Sequence, residues 1–166
     1  MVTRRRALSI LAGFAATPAS ASAVATWQGR AMGADASIML AQPKRGSTYA
    51  LFRQVERIIA QVEQTFSLHI ESELTRLNAA GLLRNPSRAM VEMITLSARM
   101  HQATGGVFDP SIQQLWLALA RGGDAEAARH CVGWNNVLVT ADGVQLLAGC
   151  QLTFNGIAQG FCADQV

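Results

Sequence analysis

The residues best placed to do chemistry in this 166-residue chain lie at two glycine-bearing junctions. Near the C-terminal end, Leu152-Thr153-Phe154 runs into Asn155-Gly156-Ile157-Ala158-Gln159-Gly160, which reads as a strand entering a helix through a glycine turn. Backbone N–H groups at such a junction can approach a phosphate closely, because glycine tolerates unusual φ and has no Cβ in the way. The same glycines would equally serve helix–strand packing with no ligand. The second junction, Thr104-Gly105-Gly106-Val107-Phe108-Asp109-Pro110, joins two expected helices by a tight loop. Its exposed amides and carboxylate could also hold a polar ligand, although capping alone would account for Asp109.

Other chemistry-bearing residues are sparse. His69, His101 and His130 stand at no metal-ligand spacing and read as structural or exposed. No GxSxG, HExxH or P-loop occurs. Cys131, Cys150 and Cys162 form no CxxC pair, allow at most one disulfide, and read as small buried residues. Chemistry alone therefore leads to an α/β domain that could take a phosphate-bearing ligand.

The elements that must position these residues follow from periodicity. Thr26 to Ala41 alternates around a Met32-Gly33 break, with Ala36, Ile38 and Leu40 on one face, predicting paired strands. Ser47 is placed to cap a helix whose stripe is Leu51, Phe52, Val55, Ile58, Ile59, Val62 and Phe66. Ser72 caps a short helix with Glu73 in its first turn, and Ser87 opens another that Gly105-Gly106 ends. Asp109-Pro110 reads as an N-cap and first helical residue, ahead of a buried stripe of Ile112, Leu115, Trp116 and Leu119. Asp124 caps a further helix ending near Gly133, and a hairpin joins Asn136–Thr140 to Val144–Leu147.

Half of the residues are hydrophobic and 15% are charged, which suits one folded domain and excludes a disordered chain. Residues 1–23 read as a signal peptide: Arg4-Arg5-Arg6, an apolar run from Ala7 to Ala16, and small residues up to an expected cleavage after Ala23. Thr3-Arg4-Arg5-Arg6-Ala7-Leu8 resembles the twin-arginine export motif, with Ala7 where Phe is usual. Removing those three arginines from fourteen bases leaves eleven, equal to the eleven acids. A neutral body with the single lysine Lys44 has no electrostatic footprint for nucleic acid.

Four segments taken together resemble the ApbE family, the FAD:protein FMN transferases. They are Ala31-Met32-Gly33-Ala34-Asp35-Ala36; Thr65–His69 with Ser72–Asn78; Thr104–Pro110; and Leu152–Phe161 followed by Asp164. Asn-Gly-Ile-Ala-Gln-Gly, in place of the commoner Gly-Gly-Ile-Ala-Lys-Gly, is similar to the NosX branch associated with nitrous-oxide respiration. The resemblance implies a mixed α+β fold of ApbE (T-fold-like) type, a sheet packed by helices, incomplete here, with residues 24–166 as the N-terminal part of the flavin transferase domain. It further implies FAD as substrate, Mg²⁺, release of AMP, and transfer of FMN to a Thr or Ser hydroxyl of an acceptor flavoprotein such as a membrane redox subunit. The expected location is the periplasm or the outer face of a bacterial inner membrane.

Carried over by position, the resemblance assigns flavin-side contacts to Met32, His69, Val107, Phe108, Asp109, Thr153 and Gln159, and a metal-touching carbonyl to Gly156. His69 stands where the family usually has Tyr, Thr153 where it has Asp, and Gln159 where it has a charged residue. Histidine can still stack on a ring and glutamine can still hydrogen-bond a phosphate, but Thr153 lacks a carboxylate. Family members are about twice this length, so the chain reads as the N-terminal half of such a transferase, with a truncated non-catalytic flavin-binding or interaction remnant of the family as the alternative reading. Phe154, Ile157 and Phe161 are accordingly expected to lack packing partners and to form an apolar edge prone to self-association. For the leader, Arg4, Arg5 and Arg6 replaced together by Lys should leave precursor in the cytoplasm on fractionation. Undiminished periplasmic protein would reject the twin-arginine route while leaving export itself standing.

Overall fold

The computed structural model describes residues 24–41, 47–147 and 149–166. The signal-peptide reading of residues 1–23 lies outside them. The order of elements is β1 (Val24–Ala31), β2 (Ala34–Ala41), α1 (Thr48–Phe66), α2 (Glu73–Ala80), β3 (Leu82–Arg84), α3 (Arg88–Ala103), α4 (Gln113–Arg121), α5 (Ala125–Arg129), β4 (Val137–Thr140), β5 (Gly143–Leu146) and α6 (Ala158–Gln165). A 3₁₀ turn, Trp134–Asn136, precedes β4. The strands form two small antiparallel sheets, β1-β2 and β3-β5-β4, so the mixed α/β expectation holds.

Helix α1 is the spine. Val55, Ile59, Val62 and Phe66 recur at helical spacing and are buried, as the sequence period demands. They meet Leu74 and Leu77 of α2, Met90, Met93 and Ile94 of α3, Val144 and Leu146 of β5, and the C-terminal residues Leu152, Phe154, Ala158 and Cys162. Ser47 caps α1 through its carbonyl, which accepts from Leu51 N–H at 3.0 Å, and not through a side-chain cap bond, because its own φ and ψ are already helical. The Ser72 cap is a reciprocal capping box with Thr75, and Ser72 Oγ also donates to the Ser67 carbonyl at 2.7 Å. Short strand β3 has no counterpart in the sequence reading; three residues are too few for a period. It exists because Gly143 lets β5 approach it: a Cβ there would collide with the Leu83 carbonyl.

Five expectations are corrected. Helix α4 starts at Gln113, with Ile112 and not Asp109 at its N-cap, because the Asp109 carboxylate turns back on Ser111. Its expected buried stripe is largely exposed, at 39% for Ile112, 57% for Trp116 and 65% for Leu119. Leu152-Thr153-Phe154 is no strand: beside it lies one isolated parallel bridge, Gln151 with Ile112, and the segment is held by the Pro110 carbonyl and the Asn78 side chain. Gly160 lies inside α6, and neither Gly156 nor Gly160 has positive φ, so neither supplies an unusual backbone turn.

The fifth correction concerns the C-terminal apolar residues. Phe154 is 1% exposed, and Ile157 and Phe161 are partly buried against the core. The Phe66 ring meets Phe154 and Phe161 edge-on, with centroids 5.7 and 5.4 Å apart. Asn78, in the last turn of α2, ties the same segment down. Its Nδ2 donates to the Leu152 carbonyl and its Oδ1 accepts from Leu152 N–H, both at 2.8 Å. Leu152 is fully buried, so Asn78→Ala strands two main-chain groups and should cost about 2 kcal/mol in urea unfolding. A loss below about 0.5 kcal/mol would show that the segment is held by apolar packing alone.

Candidate functional site

Hairpin β1-β2 turns at Met32-Gly33, both with positive φ (+52° and +80°), the requirement of a two-residue hairpin whose twist matches its strands. The Met32 N–H is donated to Glu63 Oε1 at 2.9 Å, and Trp27 Nε1 donates to Glu56 Oε1 at 3.3 Å. These bonds set the hairpin on α1. Across from its tip, the loop after α1 carries His69, whose N–H is donated to Ser67 Oγ at 3.1 Å. A cavity of about 200 Å³ is lined by Met32, Ser67, Leu68, His69, Asn155, Ala158 and Gln159. A second, about 380 Å³ and mainly apolar, runs between the hairpin and α6; Met32 and Gln159 line both. Three of the residues assigned from sequence, Met32, His69 and Gln159, therefore share one cavity.

The remaining assigned residues form a neighbouring group. In the loop after α3, Gly105 and Gly106 take φ of +61° and +86°, which ends the helix. Thr104 Oγ1 accepts from Phe108 N–H at 3.0 Å, and His101 Nδ1 donates to the Phe108 carbonyl at 2.9 Å while its ring stacks on Trp134. Val107 is left 90% exposed at the loop tip. Asp109 Oδ1 accepts from Ser111 N–H at 2.9 Å and Ser111 Oγ at 2.6 Å, and its Oδ2 lies 3.8 Å from His101 Nδ1. Thr153 N–H is donated to the Pro110 carbonyl at 2.8 Å, and Thr153 Oγ1 accepts from Asn155 N–H at 3.3 Å. The Phe108 ring stands 3.7 Å from where a Gly156 Cβ would lie, so loop and C-terminal segment are in contact. Residues 153–159 join the two groups.

Sequence reasoning assigned no role to Asn155, Ser67 or Leu68, which line the smaller cavity, or to Glu63 and Asn78, which hold its walls. Asn155 and Asn78 both lie inside the resembling segments, and that was the available signal. Glu63 had none, because a glutamate on an amphipathic helix reads as solvent-facing.

A family model described as the ApbE family matches residues 32–166. The chain belongs to the ApbE family. Its fold is similar to that of "Flavin Transferase ApbE from Vibrio cholerae" (TM-score 0.76, 18% identity), covering 87% of this chain and 52% of that one. It is likewise similar to the apo form of the Pseudomonas stutzeri flavinyl transferase ApbE (TM-score 0.73, 24% identity, 87% and 53% covered) and to the ApbE protein of Thermotoga maritima (TM-score 0.73, 20% identity, 86% and 51%). At these identities the likeness concerns the fold. The chain spans about half the length of these ApbE structures. No curated protein sequence matches it.

Among the described residues no three His, Cys, Asp or Glu side chains are grouped to hold an ion. Of the residues near Gly156, Thr153 is neutral, and Asp109 spends one carboxylate oxygen on Ser111 while the other faces His101. Mg²⁺ demands near-octahedral oxygen ligation, usually with one or two carboxylates. The described residues do not fit that set by themselves.

The three cysteines of this ApbE chain are free thiols. Burial pushes the Cys150 thiol up to about 11, with the nearby Asp109 and Cys131 adding to the shift. Burial, and then Glu63, raise Cys162 as well. Both thiols are thus unreactive at neutral pH, and an alkylating reagent should label Cys131 first. The linkage has a definite sign. Below pH 9.0, the ordinary thiol value, Cys150 is protonated in both states; between there and about 11 only the unfolded chain releases the proton. Stability should therefore fall as pH rises through that window, and Cys150→Ala should flatten the fall in urea titrations. An equal fall in the variant would assign it to other groups.

Proposed function

We propose that this chain is the flavin-binding part of an FAD:protein FMN transferase, which moves FMN from FAD to a Thr or Ser hydroxyl of an acceptor protein and releases AMP. The observation that supports this reading is the convergence of Met32, His69 and Gln159, far apart in sequence, on one cavity that opens beside an apolar groove. An apolar groove next to a polar cavity suits a ligand with an aromatic ring system at one end and phosphates at the other. The His69 imidazole would stack on the ring system, and the Gln159 amide would hydrogen-bond a phosphate or ribose oxygen. The loop carrying Val107, Phe108 and Asp109 would close the side next to Thr153 and Gly156.

Dependence on Mg²⁺ belongs to the same proposal: when bound, the ion would supply charge neutralisation at the pyrophosphate. The described residues offer it at most the Gly156 carbonyl, so further ligands would come from phosphate, water or other residues. The acceptor flavoprotein and an extracytoplasmic site of action are part of this reading, resting on the family resemblance and the leader. That incomplete oxygen set favours one second reading, a chain that binds flavin without catalysis.

Incubating the purified chain with FAD, Mg²⁺ and an acceptor domain separates the two, with AMP read by chromatography and transfer by covalent fluorescence of the acceptor. The expected result for this chain alone is FAD binding without AMP release, and AMP release once it is joined to the C-terminal half of an ApbE protein. Release of AMP by the chain alone would place a sufficient oxygen set within it. Absence of FAD binding in both forms would remove both readings. His69→Ala should weaken FAD binding by about 1 kcal/mol if the ring stacks on the flavin. Unchanged affinity would leave His69 as a loop residue only.

A further inference from the structure

Met32 is a bulky residue in the left-handed region, where glycine and asparagine are the usual occupants and a Cβ is sterically opposed. It holds that conformation at the tip of a hairpin, where the chain could otherwise relax. Two side chains grip the tip. Arg30 Nη2 donates to the Gly33 carbonyl at 2.9 Å from within the hairpin, and Glu63 Oε1 accepts the Met32 N–H at 2.9 Å from outside it, 31 residues further along the chain. Glu63 is partly buried, and a carboxylate that accepts a main-chain N–H makes a stronger bond than a neutral acceptor would. Seven residues earlier on the same face of α1, Glu56 accepts from Trp27 Nε1. Two carboxylates two helical turns apart thus fasten the hairpin at its strand and at its tip.

Only Met32 and Gln159 line both the 200 Å³ cavity and the 380 Å³ groove. Gln159 sits on α6, whose place is set by the core. Met32 also packs against the core, but only partly buried and at the tip of a two-stranded ribbon, and such ribbons are marginal on their own, so apolar contact by itself leaves its turn conformation unfixed. We infer that Glu63 is a positioning residue for ligand binding, holding the Met32 turn in its left-handed form so that Met32 completes the wall shared by the two cavities. This deepens the flavin reading and rests on it.

The test uses the full 166-residue chain as wild type, Glu63→Gln, Glu63→Ala, Glu63→Asp, Met32→Gly and the Glu63→Ala/Met32→Gly double variant. FAD affinity is read by quenching of flavin fluorescence, exchange of the Met32 amide by NMR, and folding by thermal melting. Glu63→Ala should raise the FAD Kd about five-fold and speed exchange of the Met32 amide, whereas Glu63→Gln, which keeps an acceptor oxygen, should stay within about two-fold of wild type. Should the alanine variant fail to fold, Glu63→Asp keeps the charge but is one methylene too short, and is expected to show the same two losses. In the double variant the Met32→Gly loss should not grow when Glu63→Ala is added, because both act on one wall. Unchanged Kd in a folded Ala or Asp variant, failure of Gln to restore it, or additive losses would each overturn the positioning role. A wild-type chain that binds no FAD removes the flavin reading and this role with it. A fast-exchanging Met32 amide in a chain that does bind FAD removes only the grip by Glu63.

Discussion

Packing of the Phe66 ring against the edges of Phe154 and Phe161 is the contact on which most of the arrangement depends. Phe66 is the last residue of α1, so the same residue that ends the spine also seats the segment that leads into α6. A fully buried aromatic ring is worth roughly 1.5–3 kcal/mol of transfer free energy, and edge-on aromatic pairs add to it. The loop that carries His69 begins at the next residue, and the segment that carries Asn155 and Gln159 begins just after Phe154. The smaller cavity lies between them, and its walls inherit their separation from one aromatic cluster.

Polar bonds then orient what the apolar core has brought together. Asn78 pairs with both main-chain groups of Leu152 as a neighbouring strand would, which satisfies that buried backbone without a sheet. Pro110 accepts from Thr153, so the loop holding Val107, Phe108 and Asp109 leans on the same segment. Asp109 does its work inward: Ser111, itself fully buried, donates to Asp109 and accepts from Gly133 N–H at 2.7 Å. A carboxylate so engaged stabilises a loop well and is a poor metal ligand. With Asp109 engaged in this way, the described residues leave an ion's oxygen set incomplete.

Exposure is concentrated elsewhere. Helix α4 presents Ile112, Trp116 and Leu119 outward, and edge strand β4 presents Leu138 and Val139. The α4 stripe has the period of a buried face, and nothing in the described residues covers it. The chain spans about half the length of the ApbE structures whose fold it shares. A period in sequence specifies which side of a helix is apolar; it does not specify what, if anything, lies against that side.

The sequence by itself determined the helices, the two hairpins and the caps at Ser72, Ser87 and Asp124, because period and capping chemistry are local and are written within a few residues of where they act. Four spaced motifs were enough to point to the family, again without any knowledge of contacts. Only the tertiary structure decided that Asp109 bonds Ser111 and does not cap α4, that residues 152–154 lie outside any sheet, that β3 forms at all, and that Phe154 and Phe161 find Phe66. Each of these depends on a partner distant along the chain, or on a competition between two partners that both look adequate along the chain. Glu63 is the clearest case. On a helical wheel it is a surface glutamate, and its bond to Met32 exists only because hydrophobic burial of α1 against the hairpin brings residues 31 positions apart to 2.9 Å.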